Sequence, residues 1–184
     1  QITVEDVDMK NVIPSLYWGL GNTFTYKNWD LDVFIYSQLG VDKYNDVYSW
    51  TSGRGLGNQT NNMSVYIKDV WHSELNPNGT IPGIAYEMAS VSLPGGAGTD
   101  IGYENSSFVR VRNITLGYNF KPNQLGTLSK LLSGIRVYVD VQNPFTFTGY
   151  TGLDPEVNTG GNYKGGKAEY PQTRTFSLGA KLSF

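Results

Sequence analysis

Few residues in this chain have the types and spacing that catalysis or metal binding requires. Asp154 and Glu156 lie in the motif GLDPEV, and Asn158 follows two positions later. Two carboxylates could act as an acid and a base, and with the amide they could provide oxygen ligands for calcium. A separation of one residue within a loop is more typical of turn hydrogen bonds. The motif therefore favours a turn over a catalytic or metal site.

The single histidine and one glycine-rich stretch add no further chemistry. His72 has no partner at metal-ligand spacing, and the chain contains no cysteine, so neither a transition-metal centre nor a histidine-dependent triad is predicted. Residues 52–57, SGRGLG, do not follow the GxGxxG pattern of dinucleotide-binding turns. We predict no catalytic residue, no metal and no cofactor, and therefore no enzyme.

Aromatic side chains between the predicted strands are the better candidates for binding. Flat rings beside asparagine and aspartate can stack on sugars and hydrogen-bond their hydroxyls, and peptides could use the same surface. The alternative role is packing within long loops or against a partner protein. The candidate substrate-binding residues are Trp50, Trp71, Tyr86, Tyr103, Tyr150 and Tyr163.

Composition indicates a β-rich protein that does not bind nucleic acid. Charged residues make up 16% of the 184 positions and aromatic residues 14%, while glycine occurs 22 times. Aromatic and β-branched side chains suit a pleated, half-buried surface. The net charge of −2 provides no basic field for nucleic acid. No continuous apolar stretch approaches the ~18 residues of a membrane helix, whereas a membrane strand needs only ~10 residues of alternating pattern.

Five segments alternate between apolar and polar residues with the period of a strand. The clearest is 135–147, where Val137, Val139 and Val141 share one face with Phe145. Arginine, tyrosine, aspartate and glutamine occupy the other face. The predicted strands are 17–26, 30–39, 107–120, 135–147 and 173–184.

The connections between these strands indicate a membrane barrel. Two are long, 41–106 and 148–172, and two are short, 27–29 and 121–134, the last with one helical turn around residues 128–132. Outer-membrane barrels have this asymmetry, with long loops outside the cell and short turns in the periplasm. A soluble β-sandwich also alternates and is the other fold considered. Because a membrane barrel needs about eight strands to close, five strands must be part of a larger barrel.

Several stretches resemble one family together. They closely resemble the C-terminal part of SusC-type (SusC/RagA family) TonB-dependent outer-membrane transporters of Bacteroidota. The resemblance covers nearly the whole chain, and the pairing of YTGLDPEV with YPQTRTF is its most specific part. The stretches are 16–45, the tryptophan-centred 70–83, SSFVRVRNITLGYNF (106–120), GIRVYVDVQNPFTFTGYTGLDPEV (134–157) and YPQTRTFSLGAKLSF (170–184).

This resemblance implies an all-β fold, with these residues forming the last five strands of a 22-stranded transmembrane antiparallel barrel in the outer membrane. It implies import of a bulky nutrient, an oligosaccharide in preference to a peptide. The implied partners are a SusD-like surface lipoprotein, membrane lipid, the rest of the barrel, and the TonB–ExbB–ExbD complex acting through a plug with no counterpart here. The end of the chain also resembles the signal read by the barrel-assembly machinery, carried by Phe176, Leu178, Leu182 and Phe184.

Two functions of other classes remain open from the residues alone. A soluble β-sandwich carbohydrate-binding module is the first, and a protein that stays monodisperse without detergent would favour it. A glycoside hydrolase is the weaker second, because it would require the carboxylates of the GLDPEV motif to act in catalysis.

Overall fold

A computed structural model describes residues 8–45, 64–80, 102–157 and 170–184. These residues form strands linked by turns and short 3-10 helices, and none of their helices is long and apolar enough to cross a membrane. The strands are β1 (Leu16–Tyr26), β2 (Trp29–Leu39), β3 (Asp42–Tyr44), β4 (Tyr103–Asn105), β5 (Phe108–Phe120), β6 (Gly134–Thr148) and β7 (Thr175–Ser183). The chain divides into a sheet unit (14–41, 106–149 and 171–184) and a loop unit (1–13, 42–105 and 150–170).

The sheet unit is one antiparallel sheet of five strands in the order β1-β2-β5-β6-β7. Only Lys27 and Asn28 separate β1 from β2, and Lys27 adopts a left-handed φ of 56°. β5 and β6 are joined by two 3-10 helices, Pro122–Gln124 and Gly126–Lys130, where the sequence predicted a single turn. These two connections lie at the same end of the sheet, which we call the short-turn end.

The register aligns the apolar residues of neighbouring strands on one face of the sheet. Leu31 of β2 pairs with Leu116, which pairs with Val139, which pairs with Leu178. The last three are 44%, 46% and 77% exposed. An apolar face of this extent requires a covering that these residues do not provide themselves.

A bulge keeps the two faces distinct along β5 and β6. Ile35 of β2 pairs with Val111 and Phe34 with Asn113, so Arg112 is one extra residue on β5 relative to β2. Against β6, Val111 pairs with Phe145 and Asn113 with Gln142, so Arg112 alone lies opposite Asn143 and Pro144. One extra residue reverses the alternation of a strand, which places Val111 on the same face as the apolar residues that follow Asn113. Asn143 has a φ of 49°, and proline, which lacks a backbone N–H, is tolerated at such a bulge.

The loop unit contains its own two-stranded sheet. β3 pairs antiparallel with β4, and the rings of Tyr44 and Tyr103 meet edge to face with centroids 5.1 Å apart. A 3-10 helix, Val65–Asp69, lies in the same long connection. The segment predicted as loop 41–106 therefore contains regular structure, which its high content of glycine and asparagine concealed.

Candidate functional site

Three of the six candidate binding residues lie in the part of the chain that the structure describes. Trp71, Tyr103 and Tyr150 belong to the loop unit. The other three, Trp50, Tyr86 and Tyr163, lie outside the described residues. Their contact with a substrate stays a prediction for all six.

Trp71 is displayed on a turn held by hydrogen bonds. His72 and Asn76 exchange backbone hydrogen bonds of 3.0 and 3.1 Å, and the Asn76 side chain donates to the carbonyls of Lys68 and Val70. The backbone N–H groups of the two residues before Asn76 donate to His72 Nδ1, both at 3.1 Å. Trp71 remains 48% exposed. His72 thus organises a loop, and the turn holds an indole where it can stack on a ligand or a partner.

Within the loop unit, the Lys43 side chain links residues of the first long connection to residues of the second. Its ammonium donates to the carbonyl of Asp154 at 2.8 Å and also to that of Val157. The same ammonium lies 5.3 Å from the centre of the Tyr150 ring, a distance at which cation–π attraction operates. Burial and the nearby carboxylates of Glu104 and Asp154 raise the pKa of Tyr150 to about 12. Tyr150 is therefore a neutral phenol at physiological pH.

Glu104, the register partner of Lys43, forms the second part of this connection. Its carboxylate accepts hydrogen bonds from the Thr151 backbone N–H at 2.8 Å, the Thr151 hydroxyl at 2.8 Å and the Asn45 amide at 2.9 Å. Hydrogen bonds to a charged group are stronger than those between neutral groups. We call this set the loop clasp: Lys43, Asn45, Glu104, Tyr150, Thr151 and Asp154.

The GLDPEV motif forms the turn that its spacing predicted. Asp154 is 6% exposed, and its Oδ1 accepts the backbone N–H groups of Glu156 and Val157 at 2.8 and 3.4 Å. The carboxylate thereby orients the carbonyls that receive Lys43. The clasp thus has a structural explanation that requires neither an acid–base pair nor a metal.

Removing the Glu104 carboxylate should loosen the second long connection. Glu104→Ala deletes the acceptor for Asn45 and Thr151, and we expect a local loss of about 1.4 kcal/mol, which is about tenfold in the opening equilibrium. Hydrogen exchange of peptide 150–157 in the native receptor measures this opening. Glu74→Ala, at an exposed carboxylate of the tryptophan turn, is the matched control. Equal hydrogen-exchange rates of peptide 150–157 in the two variants would contradict the stabilising role of the clasp.

The polar face of the sheet carries an ion pair near the short-turn end. Arg136 Nε lies 3.2 Å from both carboxylate oxygens of Asp30, and Arg136 Nη2 donates a further hydrogen bond to Asp30 Oδ2. Asn119 also donates to Asp30 Oδ1 at 2.6 Å. Gly117 lies between the pair, since a Cβ there would come within 2.5 Å of Asp30 Oδ2 and 2.7 Å of Arg136 Nε. The absence of a side chain at Gly117 is what allows this cross-strand pair.

Further along the same face, carboxylates are bound by neutral partners. Asp140 accepts from the Thr115 hydroxyl at 2.6 Å and from the Asn113 amide, and Asp32 accepts from the Thr23 hydroxyl at 2.6 Å. Thr23, Asp32, Thr115 and Asp140 form one cross-strand row. This face therefore suits a water-filled lumen, with the carboxylates of Asp30, Asp32 and Asp140 bound by neighbouring side chains.

Comparisons with known proteins identify the family of the chain. No family model matches the chain. TonB-dependent receptor P3 of Formosa agariphila is 31% identical over 179 residues, 93% of this chain and 16% of the relative. TonB-dependent receptor SusC of Bacteroides thetaiotaomicron is 34% identical over 168 residues, 90% of this chain and 15% of the relative. The chain belongs to the SusC-type TonB-dependent receptors.

Solved structures of the family have the same fold. The RagAB peptide transporter superposes with a TM-score of 0.71 at 26% identity, covering 95% of this chain and 18% of that one. The closed-closed state of the RagAB peptide importer gives 0.73 at 25% identity, covering 100% and 19%. The SusC-type chain thus spans less than a fifth of the length of each of these relatives.

The predicted fold class is confirmed by this similarity. The SusC-type chain is all-β, and its open five-stranded sheet is a part of a larger antiparallel barrel. The relatives are named as TonB-dependent receptors and as a peptide transporter. The bulge at Arg112 and the glycine beneath the Asp30–Arg136 pair are the features that reasoning from the sequence missed. The alternation of apolar residues is interrupted at RVRN (110–113) in β5 and at QNP (142–144) in β6. These interruptions were the signal that could have indicated a bulge.

Proposed function

We propose that this segment forms part of the wall and extracellular rim of an outer-membrane importer of bulky nutrients, driven through TonB. The single observation that carries the proposal is the register of the sheet. It aligns Leu116, Val139 and Leu178 on one face and the bound carboxylates on the other. Lipid on the first side and water on the second satisfy both faces, whereas an open sheet in water leaves the apolar face uncovered.

The orientation follows from the lengths of the connections. We place the long connections 41–106 and 148–172 outside the cell and the turn at Lys27 and Asn28 in the periplasm, as in outer-membrane barrels generally. The loop clasp then fixes part of the extracellular rim. A SusD-like surface lipoprotein is the partner we propose at that rim, and TonB–ExbB–ExbD acts through a plug elsewhere in the longer protein.

An oligosaccharide is the substrate class that we propose. The half-exposed indole of Trp71 on its hydrogen-bonded turn supports it, because aromatic faces stack on sugar rings. A peptide is the second candidate, favoured by the similarity to the RagAB peptide transporter. Both substrates would meet the same rings, so the sugar and the peptide must be compared directly.

Uptake by living cells tests the proposed function. A strain lacking the full-length receptor should lose accumulation of its labelled nutrient, and the intact gene should restore it. The same loss is expected when the receptor is present and TonB is deleted. Mixed oligosaccharides and mixed peptides, supplied separately, decide the substrate class. Accumulation that is unchanged in the receptor deletion for both classes would refute the proposal.

We also propose that the apolar residues of β7, together with the Phe184 that follows it, act in barrel assembly. They are at least half exposed, and they alternate with small or polar residues. The residues are Phe176 at 70%, Leu178 at 77%, Leu182 at 51% and Phe184 at 82% exposure. An apolar strand edge of this kind can be read by assembly machinery before lipid covers it.

A further inference from the structure

The connection between β5 and β6 exposes leucines. Leu128 is 54% exposed and Leu131 is 69% exposed. They belong to one 3-10 turn, in which the Leu131 N–H donates to the Leu128 carbonyl at 3.0 Å. Side chains three residues apart eclipse each other in a 3-10 helix. The two leucines therefore form a small apolar surface on one side of the turn.

This connection is attached to the apolar face of the sheet. Gln124 Nε2 donates to the Tyr118 hydroxyl at 3.3 Å, and Asn28 Nδ2 lies 3.4 Å from the same oxygen. Tyr118 is on the apolar face, where its ring meets those of Trp29 and Phe120 edge to face, with centroids 4.8 and 4.7 Å apart. The connection is thus bonded to a belt of aromatic rings on the apolar face, at the short-turn end of the sheet.

The charged residues of the two short connections are all lysines. Residues 121–134 contain Lys121 and Lys130 and no aspartate or glutamate. Lys27, in the neighbouring turn, lies 5.3 Å from the centre of the Tyr26 ring. Lysines beside aromatic rings at the edge of an apolar surface are typical of contact with anionic phospholipid headgroups.

We propose that the connection 121–133 is an interfacial lipid anchor. Leu128 and Leu131 insert at the acyl boundary of the phospholipid leaflet at the short-turn end, and Lys121 and Lys130 contact its headgroups. The inference rests on the proposed function, since it requires the sheet to span a bilayer. Two leucines cover far less than the roughly 800 Å² that each partner buries in a stable protein interface, so lipid is the occupant that the size of the surface favours.

Fluorescence quenching in vesicles tests the anchor. The full-length receptor, with any native cysteines replaced, is labelled with the fluorophore NBD at one cysteine, introduced as Leu128→Cys, Leu131→Cys, Thr127→Cys or Leu178→Cys. Vesicles of phosphatidylethanolamine and phosphatidylglycerol carry brominated acyl chains, which quench fluorophores in the hydrocarbon. Thr127 is the control within the turn, and Leu178 is the control in the wall.

Quenching at positions 128, 131 and 178 should exceed that at position 127 by about twofold or more. If position 178 is quenched while 128 and 131 match 127, the anchor is overturned and the membrane wall stands. If position 178 is not quenched either, the wall is overturned, and the anchor with it. Replacing phosphatidylglycerol with phosphatidylcholine should reduce quenching at 128 and 131 only, because the lysines lose their anionic partners.

Discussion

Val139→Arg should cost roughly 2–4 kcal/mol of folding free energy in a bilayer, because its charge would lie in hydrocarbon. Val139 is 46% exposed on the apolar face, between Leu116 and Leu178 in the register. Tyr138→Arg should be much milder. Tyr138 lies on the polar face, where the Arg136 guanidinium is 5.0 Å from its ring centre. The new charge would remain in water, with only a modest repulsion from Arg136.

Reversible folding of the full-length receptor into vesicles measures both variants, and Val139→Ala completes the comparison. In lipid, acyl chains fill the lost volume, so the alanine variant should lose well under the ~1–3 kcal/mol that a cavity in a dry protein core would cost. Equal costs for arginine at positions 138 and 139 would show that the two faces are assigned wrongly.

Arg136→Ala should cost about 2 kcal/mol, the second large effect expected in the sheet. The side chains of Arg136 and Asp30 are 27% and 15% exposed, so the substitution removes the charged partner of a largely buried carboxylate and leaves Asn119 as its remaining donor. Lys181→Ala is the matched control, because Lys181 pairs with Arg136 in the register on the same face. Removing the Lys181 side chain should change the folding free energy little, because it removes a charge of the same sign as Arg136.

A double-mutant cycle separates the ion pair from general disruption. Gly117→Ala introduces a Cβ where the two side chains meet, so it should destabilise the receptor mainly by displacing the pair. In the Arg136→Ala background the same change should cost at least ~1 kcal/mol less. Costs that simply add in the vesicle-folding assay would mean that Gly117 has no role in accommodating the pair.

The faces of the sheet were predictable from the sequence because strand periodicity depends only on local geometry. The alternation along 135–147 assigns Val139 to the apolar face and Tyr138 to the polar face, and the register agrees. The interruptions at RVRN and QNP mark where the alternation fails, but the sequence alone does not say which residue is extra, because Arg112 is extra on β5 only through the pairing with β2. The sequence predicted one helical turn after Phe120, whereas the structure has two 3-10 helices. The first of them depends on contacts with other strands and turns, because Gln124 is hydrogen-bonded to Tyr118 and Asn28.

Less of the candidate site could be predicted from the sequence. The sequence indicated aromatic residues of the loops as candidates, and one of them, Tyr150, lies in the loop clasp. The residues that hold the clasp, Lys43 and Glu104, are about sixty positions apart and pair through β3 and β4. Three-residue strands are too short for periodicity to reveal. The turn at Asp154 was predictable, because an aspartate bonds the backbone two residues ahead.

The central claim is that β6 separates lipid from water, and a cysteine scan along residues 136–141 of the full-length receptor in vesicles tests it most directly. Each single cysteine is exposed to a water-soluble maleimide, and the rate of modification is measured. The even positions 136, 138 and 140 should react, and the odd positions 137, 139 and 141 should be protected at least ~tenfold, as the alternation of a membrane strand requires. Equal rates on both faces, or protection of the even positions, would contradict the account.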